Sequence, residues 1–499
     1  MNATAVKTSE WVKNRIKQDQ IDRYLKPGQK DFIDDDLIWK QLEGAKKTDP
    51  ARIREIIKKS RSIETLSPEE TAALLYVRDP QLIAEMEEAA IAIKKEVYDN
   101  RIVTFAPLYL SSKCVNSCKY CSFRLENGEM ERRLVTMEEL DREIETLAGE
   151  IGHKRLIVAY GEHPDSDADY IVDTVKRIYQ CRFKTRKGEG QIRRVNINAA
   201  PMSIEDLTKL KNVGIGTYQV FQETYHKETY SKVHPANTLK GNYNWRLYSM
   251  HRAYDAGIDD FGIGALFGLY DWRFEVMGLI HHTHELERTF GVGPHTISFP
   301  RLEPAHNAPL ATESKYLVDD ESFKHAVLCL RLAVPYTGMI LTARENAELR
   351  RRIIPMGITQ TDASSRIGLG AYSKETKGQV EERQQFVLGD TRSLDEVVRE
   401  LAQMGFITSF CTAGYRCGRT GEKIMEMLKC GREGDLCKLN AIITYREWLD
   451  DFSSEETRAV AEPLILKEIE EVKERNPGAM KMLKNYYEQT CRGARDLYF

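Results

Sequence analysis

Eight short apolar, β-branched runs alternate with stretches whose apolar residues recur at helical spacing, and this alternation predicts an α/β chain built on a parallel sheet with crossover helices. The runs are 103–110, 155–160, 195–200, 217–223, 261–268, 295–302, 339–343 and 357–362. Eight strand–helix units over about 260 residues fit a (β/α)8 TIM-type barrel, whose functional site lies at the C-terminal ends of its strands. Helix starts between the runs support the alternation: Thr136-Met137-Glu138-Glu139 is a capping box, and Ser203 stands three residues before Asp206 as an N-cap. The barrel spans 101–370, with an N-terminal helical extension over 1–100 and a small C-terminal helical module over 371–499.

In the extension, breaks at Pro27-Gly28, Pro50 and Asp79-Pro80 separate charged helical stretches. Ser67-Pro68-Glu69-Glu70 is a capping box with proline at the first helical position. Leu82, Ile83, Met86, Ala90, Ile91, Ile93 and Val97 then recur at helical intervals, which predicts an amphipathic helix, and the region reads as a lead-in that covers one end of the barrel. The dense basic run from Arg182 to Lys187, followed by Arg193-Arg194, reads as a solvated loop. The module opens at the capping box Ser393-Leu394-Asp395-Glu396.

With 499 residues, 41% of them hydrophobic, and a net charge of −3, the chain buries a large core and carries no field that would draw nucleic acid or a membrane surface. No run approaches the ~18 apolar residues of a spanning helix. Ten cysteines with a polar N-terminus imply reduced thiols and a cytoplasmic chain. Its partner is expected to be a small molecule.

The chemistry concentrates in Cys114, Cys118 and Cys121, a C-x3-C-x2-C loop directly after the first run. Thiolates this close read as ligands of an iron–sulfur cluster, which normally takes four; three leave one iron open, the arrangement for chemistry rather than for structure. A zinc site short of one ligand or a chance grouping is the alternative.

That loop, with aromatic Tyr120 before its last cysteine, resembles the radical S-adenosylmethionine (radical SAM) enzymes. The resemblance implies that Cys114, Cys118 and Cys121 bind a 4Fe-4S cluster, that SAM chelates the open iron, and that its cleavage yields a 5′-deoxyadenosyl radical. It places Gly161 and Glu162 at the SAM amino group, Glu223 at the ribose, Gly262 and Gly264 beside the adenine, and Tyr120 among the groups that position SAM. Segments such as Phe221-Gln222-Glu223-Thr224-Tyr225-His226, Gly293-Pro294-His295-Thr296-Ile297-Ser298 and the terminal Arg495-Asp496-Leu497-Tyr498-Phe499 look like the HydG family, more closely than like the related ThiH tyrosine lyases. For HydG this implies cleavage of tyrosine at Cα–Cβ to p-cresol and dehydroglycine, conversion of the fragment to CO and cyanide at a second iron–sulfur cluster, a ferredoxin- or flavodoxin-like one-electron reductant and other maturation proteins as partners.

Ser298 and Arg301 are the candidates for holding the amino-acid substrate, with a purely structural ion pair the alternative for Arg301. Glu303 stands where the family pattern has a second arginine, and Asp362 with Arg366 replaces a small, neutral stretch. The family's second cluster motif, C-x2-C-x22-C, survives only as Cys411 and Cys437, with Gly414 between; Cys417 or Cys430 would have to complete it, or the cluster is lost. His281, His282 and His284 look like a metal cluster but sit on an expected helix, where ordinary solvated histidines are the alternative, and Cys181, Cys329 and Cys491 read as packing residues. The rival functions are a one-cluster paralogue acting on another amino acid and a non-catalytic scaffold that delivers metal.

Overall fold

All eight expected strands form one parallel barrel in the computed structural model of the chain, which describes residues 3–373, 384–429 and 433–499. They are β1 (Arg101–Ser111), β2 (Arg155–Tyr160), β3 (Arg194–Asn198), β4 (Tyr218–Gln219), β5 (Phe261–Gly264), β6 (Thr296–Ser298), β7 (Gly338–Leu341) and β8 (Gln360–Asp362). Each pairs in parallel with the next, and β8 returns to β1 through Val103↔Gln360 and Phe105↔Asp362, which closes the ring. Several strands are shorter than their apolar runs, because the chain leaves the ladder before the run ends. After β4 it continues only as an isolated bridge, Glu223↔Ala265.

The helix starts read from sequence are present. Ser67, Thr136 and Ser393 each close a full capping box, and Ser203 accepts from the Asp206 amide. The N-terminal helices Asp35–Ala45, Pro50–Arg61, Pro68–Leu75 and Pro80–Tyr98 pack on the barrel helices Trp272–Phe290 and Asp320–Ala333, so the extension covers the flank of the barrel rather than an end. Among the described residues no helix is long and apolar enough to cross a membrane.

The C-terminal module is tied into the barrel. Its strand β9 (Ile407–Ser409) adds in parallel to the start of β1, pairing Arg101↔Ile407 and Val103↔Ser409. Three residues between helical stretches carry no alternation long enough to announce a strand. The basic run is solvent-exposed at Arg182, Lys184, Arg186 and Lys187, as expected, and it also meets the module: Arg186 donates to the Ser453 carbonyl at 3.1 Å, Lys187 pairs with Asp450 at 3.3 Å, and Arg193 beyond it is paired with both Glu447 and Asp496. Burial pushes Glu447 up, yet Arg193 and Lys154 outweigh it and hold the carboxyl at about 2.

Candidate active site

The cysteine loop leaves the end of β1 and is pinned largely by main-chain bonds. Gly161, just past β2, donates to the Ser111 carbonyl at 3.0 Å, and a Cβ on it would collide with the Lys113 carbonyl oxygen. Glycine is thus needed there for the approach of the chain's own loop. Val115 donates to the Glu162 carbonyl at 2.8 Å, Lys119 to that of Val233 at 3.1 Å, and Leu125 to that of Asn116 at 2.8 Å. Held this way, Cys114, Cys118 and Cys121 line one cavity of about 240 Å³ at the C-terminal mouth of the barrel.

The donor set fits an iron–sulfur cluster. Burial raises the Cys114 thiol above its ordinary pKa and pushes Cys118 up to about 12, so charged sulfur there requires a cationic partner, which iron provides. Asn116 Nδ2 lies 3.7 Å from Cys114 Sγ and Gln385 Nε2 donates to Cys121 Sγ at 3.4 Å. Among the described residues no three His, Cys, Asp or Glu side chains close around a point that one metal ion would fill.

Beside the thiols stand two carboxylates in unlike states. Glu162 is buried; its Oε2 accepts from Asn116 Nδ2 at 2.6 Å, while Oε1 has no partner, an acceptor open to an ammonium group. Glu223 sits at φ 71°, a left-handed conformation costly for a non-glycine residue, and its Oε1 takes both Lys240 Nζ at 2.7 Å and Arg246 Nη2 at 3.1 Å. Burial raises its pKa, but Lys240 and Arg246 reverse the balance and keep it ionised. Tyr120 lines the cavity with its ring and pairs through its hydroxyl with His234 Nε2 at 2.8 Å. Gly262 and Gly264 do not line the cavity. A Cβ on Gly262 would meet Gln219 Cγ at 2.9 Å, and one on Gly264 would meet Phe221 Cδ1 at 2.6 Å. These glycines therefore make room for Gln219 and Phe221, which do line it.

Ser298 is buried and faces the cavity. Arg301 does not, which corrects the expectation that it holds a substrate. Side chains alternate along this extended segment, so Ser298, Pro300 and Leu302 line the cavity and Arg301 does not; the alternation breaks after Leu302, where Glu303 faces the cavity too. Arg301 is spent on Glu345, on Asp320 at 2.9 Å and on the Val318 carbonyl at 2.8 Å, with its guanidinium over the Phe323 ring. Three cations line the cavity: Lys240 and Arg246 are held by Glu223, and the third is Arg344, missed in the sequence. Ile340, Thr342 and Arg344 alternate inward from β7, and counting by two from β7 would have found it. Arg344 stacks on Phe386 at 3.3 Å and among the described residues makes no ion pair. Burial lowers its pKa, with Tyr109, Glu303, Glu223 and Glu345 acting the other way. Glu303 shares the cavity; burial and Glu345 push it up to about 7, against the pull of Arg344 and Arg301. Asp362 also lines it but is committed to Ser365 Oγ at 2.5 Å and the Ala343 amide at 2.7 Å, whereas Arg366 turns away to the Ala371 carbonyl.

The cysteines of the module lie at the opposite mouth. Arg155, at the start of β2, donates to the Cys411 carbonyl at 2.9 Å, and Tyr415 stacks with Arg194 at 3.8 Å. Cys411 Sγ accepts from the Ala413 amide at 3.3 Å, and Cys417 Sγ lies 3.8 Å from the carbonyl oxygen of terminal Phe499. Cys437 sits in the helix Glu433–Asp451; Cys430 lies outside the described residues. Gly414 needs no glycine: a Cβ there would meet nothing nearer than the Arg419 carbonyl oxygen at 3.5 Å. The three helix histidines are structural, His281 bonding Gln41, buried His282 bonding Tyr225 and His284 bonding the Leu66 carbonyl.

Comparison with known proteins agrees with this geometry. The Radical SAM superfamily matches residues 108–277, and the Biotin and Thiamin Synthesis associated domain matches 298–407. A crystal structure of HydG, a maturase of the FeFe-hydrogenase, superposes with a TM-score of 0.89 at 45% identity, covering 94% of this chain and 100% of that one. The FeFe-hydrogenase maturase HydG of Carboxydothermus hydrogenoformans gives 0.76 at 37% identity over 91% and 98% of the two chains. The 2-iminoacetate synthase of Salmonella typhimurium is 28% identical over 378 residues, 74% of this chain and 93% of that protein. The chain belongs to the HydG family, and is a radical SAM carbon–carbon lyase that works with a 4Fe-4S cluster and S-adenosylmethionine.

Proposed function

We propose that the chain cleaves tyrosine between Cα and Cβ, releasing p-cresol and dehydroglycine. The observation that carries this reading is one cavity holding three cluster thiols, an apolar trio, Phe105, Ile157 and Ile340, and Arg344, which donates to the Arg301 carbonyl at 3.3 Å but among the described residues makes no ion pair. Arg344 offers the bidentate fork that an amino-acid carboxylate takes, with Ser298 beside it. The apolar trio suits an aromatic ring. Gln219 Nε2, buried and without a partner, offers a donor to a phenolic oxygen. The cluster and SAM, when bound, supply the 5′-deoxyadenosyl radical. Glu162 Oε1 receives the SAM ammonium group, Glu223 Oε2 the ribose hydroxyls, and Tyr120 walls the SAM side of the cavity. Thiol ligands call for a reducing, cytoplasmic setting and a small one-electron donor of the ferredoxin or flavodoxin kind.

At the far mouth we favour a single-cluster chain. With Gly414 in place of the middle thiol and Cys417 turned toward Phe499, the module lacks the family's ligand set; its surface is left for other maturation proteins.

Anaerobic reconstitution with iron and sulfide, followed by SAM, dithionite and tyrosine, should yield 5′-deoxyadenosine and p-cresol, and Cys118→Ala should yield neither. Glu303, an acid beside the carboxylate anchor, favours a second reading in which another amino acid is the substrate. In that case 5′-deoxyadenosine forms without p-cresol, and a panel of aromatic amino acids identifies the product. Failure to form 5′-deoxyadenosine at all leaves the metal-delivery scaffold.

A further inference from the structure

Residues 384–389 lie across the mouth of the barrel, and one of their side chains reaches the cluster loop. Gly368 bridges Gln384, Val387 donates to the Pro304 carbonyl at 2.8 Å, and Gly389 donates to that of Ala343 at 2.9 Å, so the main chain of this segment is anchored at several points. Between those anchors Gln385 lines the cavity and bridges two groups. Its Nε2 donates to Cys121 Sγ at 3.4 Å and its Oε1 accepts from the Tyr109 hydroxyl at 2.9 Å. The orientation of the amide is fixed by chemistry: a ligating thiolate only accepts, so the NH2 group must face it, and the carbonyl oxygen then meets Tyr109, which burial keeps protonated and able to donate. Phe386, the next residue, carries the guanidinium of Arg344 on its ring.

We infer that Gln385 tunes the reduction potential of the cluster through an N–H···S bond to Cys121, and that Tyr109 holds it in register for that task. The inference rests on the reading of Cys114, Cys118 and Cys121 as cluster ligands. Reduction adds negative charge that spreads onto the sulfur ligands, and a donor aimed at one of them stabilises the reduced state, so hydrogen bonding to sulfur is one of the levers that set cluster potentials. Gln385 is a positioning and tuning residue, since it acts on the cluster through Cys121. The segment that supplies it also backs the proposed carboxylate anchor, so electron entry and substrate placement share one piece of chain.

The test is an EPR-monitored redox titration of the reconstituted full-length protein, comparing the parent with Gln385→Leu, Gln385→Glu and Tyr109→Phe at matched iron content. Gln385→Leu should lower the midpoint potential by about 59 mV, a tenfold loss in the one-electron reduction equilibrium. Gln385→Glu, which sets an acceptor against the thiolate, should lower it further, and Tyr109→Phe should shift it less, in the same direction. Equal potentials in parent and Gln385→Leu, with iron content and circular dichroism unchanged, overturn the inference while leaving the cluster in place. A parent protein that takes up no cluster overturns the underlying reading instead. Should Gln385→Leu fail to fold, an unshifted potential in Tyr109→Phe and Gln385→Glu overturns the inference equally.

Discussion

The guanidinium of Arg344 rests on the ring of Phe386 at 3.3 Å, inside the cavity that the cluster thiols share. This contact holds a cation flat and ready without spending it on a carboxylate. Replacing it with Arg344→Ala should cut kcat/KM for tyrosine roughly tenfold to a hundredfold, the loss of about 1.5–3 kcal/mol from a charged hydrogen bond. Arg344→Lys should recover only part, because lysine lacks the planar fork. SAM affinity, measured by calorimetry, should not change in either variant.

Glu303 makes tyrosine binding pH-dependent. Its carboxyl titrates near 7, so above that pH a negative charge stands by the site assigned to the substrate carboxylate, and below it the group is neutral. KM for tyrosine should therefore rise between pH 6 and pH 8, roughly tenfold at most for a partly solvated like-charge pair. In Glu303→Gln the same profile should be flat.

Glu162→Gln tests the SAM end of the cavity. The unpartnered Oε1 loses its charge while the shape and the Asn116 contact remain, so SAM should bind on the order of tenfold more weakly, with iron content unchanged. Unaltered SAM affinity would remove Glu162 from the site.

Arg301→Ala should separate architecture from chemistry. Glu345 is only 2% exposed, and deprived of Arg301 it becomes a buried, uncompensated charge, a change that costs about 3 kcal/mol. Thermal unfolding should show the loss, whereas KM for tyrosine in the surviving folded protein should stay close to that of the parent.

Gly414→Cys restores the missing member of the C-x2-C-x22-C set at a place with room for it. Iron content after reconstitution should rise from about four to about eight per chain, as a second 4Fe-4S cluster requires. No gain in iron would mean that more than this one ligand separates the module from its relatives.

Much of this architecture was legible because barrels repeat: eight apolar runs separated by helical stretches mark their strands, and the three close thiols directly follow the first run. The polar parts were harder. Arg301 and Arg344 follow neighbouring strands, β6 and β7, and motif likeness favoured the one beside Ser298. Strand alternation, which turns Arg301 outward and Arg344 inward, decides between them, and it becomes certain only when the register is known. The roles of Gly262 and Gly264 depend on Gln219 and Phe221 of the adjacent strand, a contact between segments some 40 residues apart that no local pattern encodes. Gln385 follows a polar stretch with no strand or helix periodicity, and nothing in its neighbourhood announces a link to Cys121. The contacts of the basic region with the module were not legible, because Ser453 and Asp450, which meet Arg186 and Lys187, and Glu447, which meets Arg193, come more than 250 residues later.

The pairing of β9 with β1 makes the C-terminal module part of the barrel's foundation. The strand that ends in the cysteine loop begins under β9, which occupies the hydrogen-bonding edge of Arg101 to Val103. A chain ended at residue 370 would leave that edge bare, a template for self-association, and would strip Arg193 and Lys154 of the acid that neutralises them. The module thus supplies the neighbour for the first residues of the very strand on which the cluster loop is mounted.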